Sequence, residues 1–440
     1  MMYYPAPKMR QLFVIVLFIQ VFSAKAQPDA LRLTLASALQ MGLENRTELQ
    51  NEKINIAILE NELDKVNSRR LPQINASFDA RINTQLQATV IPAGVFGQTE
   101  KVVQFGVPFN DLLSAGITQS IYSPSLRTDR AIAETRTKLG QENQLKISAD
   151  IKYAVAQAYY NVLLWQARTQ AAAYNLSQAK ITHKKAQADY DYGKLLKTDL
   201  QRKLLELQNS QNAYNASQRS QQNAAEYLAQ QIGVSFATKI TLLDSLTQAT
   251  QASPNGSNYR PELTAEANAL KINELLLLKQ QKSYLPTINA YGNYGLQHIN
   301  NQFNPFEKNT WFQVSYLGVR AEMPIFNGFL KQKNVQEYKL RTQINQNRIQ
   351  QLENDFGYEI SSAKAEIGSA LESLSQTQAS YELAQKIIET DSFRLQKGVI
   401  IPAELENTKN AAQTAQTNYL NAIYVLLNAK LKLQKAEGNL

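Results

Sequence analysis

Residues 46 to 80 and 260 to 294 of this chain share one frame, 214 residues apart. Arg46, Glu48 and Leu49 recur as Arg260, Glu262 and Leu263, and LPQINA from Leu71 recurs as LPTINA from Leu285. A second frame, offset by about 205, then takes over: Ile121 and Tyr122 match Ile325 and Phe326, Gly193 matches Gly398, Leu200 matches Leu405, and Gly233 matches Gly438. The change of frame leaves roughly ten extra residues in the first copy between LPQINA and Ile121. A duplicated chain of 440 residues reads as one architecture made of two similar halves.

The sequence divides into residues 1–26, a first repeat at 27–233, a connector at 234–259 and a second repeat at 260–440. The first 26 residues read as a cleavable export signal: Lys8 and Arg10 precede the apolar run Leu12 to Phe22, and Ala24-Lys25-Ala26 supplies small residues for cleavage. That run is too short for a membrane span, which needs about 20 residues. Cysteine is absent, which excludes disulfides, thiol catalysis and cysteine metal sites. The net charge is +9, and +6 without the three cations of the signal, which is moderate for this length. His183-Lys184-Lys185 lies in a helical pattern without stacking aromatics, so it reads as a solvated helix face and nucleic acid is not a partner.

Within each repeat the periodicity changes in a fixed order: helix, strand, surface loop, strand, long helix, tight turn, long returning helix. Ile74, Ala76, Phe78, Ala80, Ile82, Thr84 and Leu86 alternate with Asn75, Ser77, Asp79, Arg81, Asn83 and Gln85, a period of two with one apolar and one polar face. The expected strands are about 73–87 and 112–122 in the first copy, and about 286–299 and 312–326 in the second. Their length suits tilted strands that cross a bilayer, and Trp311, Phe312 and Tyr316 suit an interfacial girdle. Loops 87–112 and 300–311 lie at the end opposite the helices.

The stretches Ser123 to Tyr192 and Phe329 to Lys397 carry no proline beyond Pro124, and each would make a helix of roughly 100 Å. Ala412, Ala415, Tyr419, Ala422, Leu426, Ala429 and Leu433 alternate spacings of three and four, a coiled-coil seam. Leu207, Ser210, Tyr214, Ser217, Gln221, Ala224 and Leu228 hold the same register more weakly, and Leu374, Tyr381, Ile388 and Leu395 recur every seventh residue. In the connector, ITLLDSL reads as a short strand, followed by a polar turn-rich link. Gly193 and Gly398 mark the turns at the two hairpin tips.

Four strands cannot close a membrane barrel, for which about eight is the smallest number, and an open edge cannot face lipid. Strands that span a membrane therefore require association. An exported chain with such strands and no membrane helix points to a bacterial outer membrane. The order of the duplicated marks, with Arg260-Pro261-Glu262-Leu263, the LPxI segments, Pro324-Ile325-Phe326-Asn327-Gly328 and the Gly-x5-acid-Leu turns, resembles the TolC-like outer membrane efflux proteins over essentially the whole mature sequence.

That resemblance implies a mainly α fold with a small transmembrane β part. It implies a homotrimer in which three chains close a 12-stranded β-barrel on an α-helical barrel. It also implies a duct in the outer membrane with a long periplasmic part, serving a periplasmic adaptor and an inner-membrane transporter. In that family acidic side chains ring the periplasmic entrance. Glu404 matches the first acid of the pattern, Asn407 stands at the second, Ile400 at the position of a gate arginine, and Asp199 is the first-copy equivalent of Glu404. No catalytic or metal constellation surrounds His183 or His298, and no cofactor is implied. A type I secretion duct and a surface coiled-coil protein are the alternatives.

Overall fold

The computed structural model describes residues 31–95, 97–247, 259–308 and 310–440. The export signal and most of the connector's polar link lie outside the described residues. In chain order the elements are β1 (Leu31–Leu33), α1 (Leu35–Asn45), α2 (Thr47–Ser68), β2 (Gln73–Ile82), β3 (Gln87–Ile91), β4 (Lys101–Phe105), β5 (Phe109–Tyr122), α3 (Leu126–Asp191) and α4 (Lys197–Gln231). Then follow β6 (Ile240–Leu242), α5 (Pro261–Lys282), β7 (Thr287–Asn300), β8 (Trp311–Glu322), α6 (Leu330–Gln396) and α7 (Pro402–Ala436). No described helix is long and apolar enough to cross a membrane. The chain forms two compact units. One takes the described parts of Met1–Gln50, Ile147–Tyr259 and Gly357–Leu440, and the other takes Asn51–Lys146 and Arg260–Phe356.

The second unit contains the four-stranded antiparallel sheet, in the order β2-β5-β7-β8. Ladder register aligns the apolar positions: Ile74 faces Ile117, Phe78 faces Leu113, Leu113 faces Leu296, and Gly292 faces Leu317. Because side chains alternate with period two, these residues share one face of the sheet. The opposite face carries Gln73, Asn75, Ser77, Asp79 and Arg81 of β2. Across it Ser77 Oγ lies 3.0 Å from Ser114 Oγ, and Gln297 Nε2 donates to Asn110 Oδ1 at 2.9 Å.

Two expected strands end early. The run 73–87 stops at Ile82, because the next rung would face Pro108, which has no N–H to give the ladder. Asn83 bonds to that corner instead, its N–H donating to Pro108 O at 2.7 Å and its Nδ2 to Val107 O at 2.9 Å. Thr84 and Leu86 therefore leave the sheet, and the expected loop 87–112 holds a separate hairpin of β3 and β4 before β5 begins at Phe109. The run 312–326 stops at Glu322 for a related reason: Pro324 cannot donate, so Ile325 and Phe326 fall in the connection to α6.

Helices of the same unit dock by specific polar contacts. Lys279 of α5 pairs with Asp129 of α3 at 2.6 Å, and Asn345 of α6 accepts from Asn273 and donates to Glu266, both at 2.6 Å. The Arg260 guanidinium stacks 3.6 Å from the Phe356 ring centroid.

The first unit is held by an apolar core from α1, α3, α4 and α7, with Tyr159, Leu163, Leu228, Ile232 and Ile423 fully buried. β1 pairs in parallel with β6, so Leu33 and Leu242 enter the core together. Thr34 caps α1, its Oγ1 accepting from Ser37 N at 3.3 Å in a reciprocal box with the Ser37 hydroxyl. The Asp244 carboxylate then accepts from Tyr159 Oη at 2.6 Å and from Leu35 N at 3.2 Å. Burial first, and the Asp244 carboxylate second, push the Tyr159 phenol far above the ordinary tyrosine value.

Candidate functional site

The candidate gate residues sit at the free ends of two helix hairpins, and the local sequence explains each turn. α3 ends at Asp191, after which Gly193 adopts φ +70° and Lys194 N donates back to Asp189 O at 2.7 Å. α6 ends at Gln396, Gly398 adopts φ +73°, and Val399 N donates to Arg394 O at 2.9 Å. A left-handed residue closing a helix in this manner costs least as glycine. Pro402 then occupies the first turn of α7, where the missing N–H has no helical partner to lose.

Glu404 stands in the first turn of α7 with its side chain exposed, where a carboxylate complements the helix dipole. Asp199 stands in the first turn of α4, half-buried, and pairs with Arg202 at 3.3 Å. Ile400, at the expected position of a gate arginine, is buried.

A charged cluster close behind the tips was not legible in the sequence. The Lys203 ammonium of α4 lies 2.8 Å from Glu206 and 3.0 Å from Glu406 of α7, so one cation joins the two hairpins. Burial alone would lower Lys203, but its two carboxylate partners outweigh it and hold it above the ordinary lysine value. Asp391, buried in the last turns of α6, accepts from Thr408 Oγ1 of α7 at 2.8 Å and from Arg394 Nη1 at 3.1 Å. Nothing in the sequence marked Lys203 or Asp391, since their partners lie 203 and 17 residues away.

Farther along the second hairpin, Ala412, Ala422, Leu426 and Ala429 are buried, and Ala415, Tyr419 and Leu433 are half-buried. Leu426 and Ala429 pack on Ala370 of α6, and the Tyr419 ring stacks on Tyr381, centroids 5.6 Å apart and planes at 9°. α7 also buries a second stripe, Ile423, Leu427 and Leu431, against the core of the first unit. This doubling went unseen because a heptad count follows only one stripe.

His298 is fully buried at the loop end of β7. Its Nδ1 lies 3.0 Å from Asp111 Oδ2, its Nε2 lies 3.1 Å from Asn304 O, and its ring tilts against Trp311. Trp311 Nε1 donates to Pro305 O at 2.9 Å, so these side chains fasten loop 301–308 to the sheet. Among the described residues no group of three His, Asp or Glu side chains could hold a metal ion.

Residues 259–439 match the family model of the outer membrane efflux protein. Three solved outer membrane proteins share this chain's fold along most of their length. The outer-membrane channel CmeC of Campylobacter jejuni is 16% identical, with a TM-score of 0.71 over 92% of this chain and 85% of that one. VceC, an outer membrane protein of Vibrio cholerae, is 13% identical, with a TM-score of 0.70 over 92% and 96%. The open-state MtrE outer membrane channel of Neisseria gonorrhoeae is 15% identical, with a TM-score of 0.70 over 92% and 89%. No curated protein matches the sequence. The matched residues span α5 to α7, and with them β7, β8 and the Gly398 tip.

Proposed function

We propose that three copies of this chain form an outer membrane exit duct that passes small toxic molecules, received from an inner-membrane transporter through a periplasmic adaptor, to the cell exterior. The observation that carries this reading is the sheet. Its register puts Ile74, Phe78, Leu113, Ile117, Leu296 and Leu317 on one face, while its outer strands β2 and β8 each leave an edge without a partner among the described residues. An apolar face suits lipid, but an unpaired edge does not, since each orphaned backbone group in hydrocarbon costs several kcal/mol. Three chains, each ending one sheet on β8 and starting it on β2, close 12 strands without an edge. The polar face then lines the water-filled interior.

The periplasmic entrance of this duct lies at the Gly193 and Gly398 tips. Glu404 and Asp199 supply its acidic groups, and the long hairpins form the α-helical barrel through the seam from Ala412 to Leu433. Membrane fractionation and the native mass in detergent test the proposal. Recovery in the outer membrane as a species of three chains supports it, and recovery as a soluble monomer overturns it.

A further inference from the structure

Two connections lead from the sheet into long helices. Ser123-Pro124-Ser125 joins β5 to α3, and the seven residues from Met323 to Phe329 join β8 to α6, with Tyr122 and Leu126 each 204 residues before Phe326 and Leu330. The first connection contains no left-handed residue, whereas the second has Gly328 at φ +65° and Phe329 at φ +64°. Phe329 is the one non-glycine residue with positive φ among the described residues. That backbone crowds a Cβ and is disfavoured for a bulky side chain.

The strained turn presents an aromatic pair. The Phe329 ring stands edge-on to Phe326, centroids 5.5 Å apart and planes at 89°. Phe329 remains 58% exposed and Phe326 75%, with Ile325 beside them 92% exposed. This patch lies in the connection after β8, whose outer edge is unpaired among the described residues. The other unpaired edge is β2, and the residue two before it, Leu71, is 61% exposed. β2 starts and β8 ends at the same, helix-side end of the sheet, so the two free edges run antiparallel and carry their apolar patches at the same end.

We propose that the Phe326–Phe329 pair is an intersubunit clasp, seated on Leu71 of the partner subunit just outside the strand ladder. The clasp rests on the duct reading, in which β8 of one copy pairs with β2 of the next. It holds the ring at the level where strands give way to helices, and it accounts for a backbone strain that the first repeat does without.

Because the chain has no cysteine, Leu71→Cys together with Phe326→Cys introduces the only thiols. Within one chain these positions belong to opposite edges of the sheet, three strand spacings of about 4.8 Å apart, which is beyond the reach of a disulfide. Oxidation of the double variant in membranes is expected to give covalent dimers and trimers on a non-reducing gel, and Leu71→Cys with Phe306→Cys is expected to give none. Phe329→Asn, which tolerates the left-handed backbone but lacks the ring, is expected to raise the monomer fraction in detergent by about tenfold. A trimer that forms no covalent ladder and is unaffected by Phe329→Asn overturns the clasp, assigns the rings to lipid or solvent, and leaves the duct standing. A wild-type protein that stays monomeric in membranes overturns the duct reading itself.

Discussion

The Lys203 ammonium lies 3.0 Å from the Glu406 carboxylate, joining the returning helix of the first hairpin to that of the second. Both side chains are about two-thirds to three-quarters covered, and Glu206 shares the same cation at 2.8 Å. A lysine between two carboxylates neutralises a repulsion that would otherwise push α4 and α7 apart behind the tips.

Replacing Lys203 by Met leaves Glu206 and Glu406 facing each other, with Lys409, 3.9 Å from Glu406, as the remaining weaker counter-charge. A pair of this kind contributes up to about 1 kcal/mol, so the open fraction of single channels is expected to rise roughly two- to fivefold, and adding Glu406→Gln is expected to reverse much of that rise. An unchanged open fraction in Lys203→Met removes the bridge from the gating account.

Glu404 is exposed on the first turn of α7 and has no ion-pair partner among the described residues. In the proposed trimer three copies approach one axis, where fixed negative charge concentrates cations. Glu404→Gln is expected to lower cation preference while the trimer is retained, and reversal potentials across a salt gradient read it directly. Potentials that do not move rule out this role.

Tyr159 and Asp244 join the core helix α3 to the segment following β6 by a bond of 2.6 Å. Removing the hydroxyl leaves a half-buried carboxylate with one donor fewer, so Tyr159→Phe is expected to cost about 1–2 kcal/mol of stability, read as a lower thermal midpoint. The pH dependence has a definite sign. Burial raises the phenol in the folded chain, so the folded state holds a proton that the unfolded state loses above about pH 10. The contribution is complete below that pH and declines as pH rises beyond it. Tyr159→Phe should flatten this alkaline loss.

The two faces of β2 make a paired test. Phe78 lies on the apolar face and Ser77, its neighbour, on the polar one, bonded to Ser114. A cation at lipid depth costs about 2–4 kcal/mol. Phe78→Arg is therefore expected to reduce assembly into the outer membrane sharply, while Ser77→Arg assembles at close to the normal level. Equal assembly of the two variants would contradict the assignment of faces.

Where the sequence was legible, a period carried the information. The alternation from Ile74 to Ile82 matches the two faces of β2, and of the spaced residues in α7, Tyr419, Leu426 and Ala429 pack on α6. The glycines at 193 and 398 could be read as turns because a left-handed helix end selects glycine over other residues. What escaped was everything set by a partner far along the chain. Pro108 ends β2 from the opposing strand, so the period through Leu86 continued past the true end. Lys203, Glu406 and Asp391 are ordinary helix-surface residues until the hairpins bring them together. His298 gave no hint of Asp111, which lies across a ladder rung 187 residues away. Phe329 could be read as a helix start, but not as a strained one.

The account stands most directly on one recording, made with purified protein in a planar lipid bilayer under a salt gradient. It predicts discrete, long-lived conductance steps with a cation-weighted reversal potential, with a higher open fraction in Lys203→Met and less cation selectivity in Glu404→Gln. A protein that inserts as a trimer yet passes no current, in the wild type or in Lys203→Met, contradicts it.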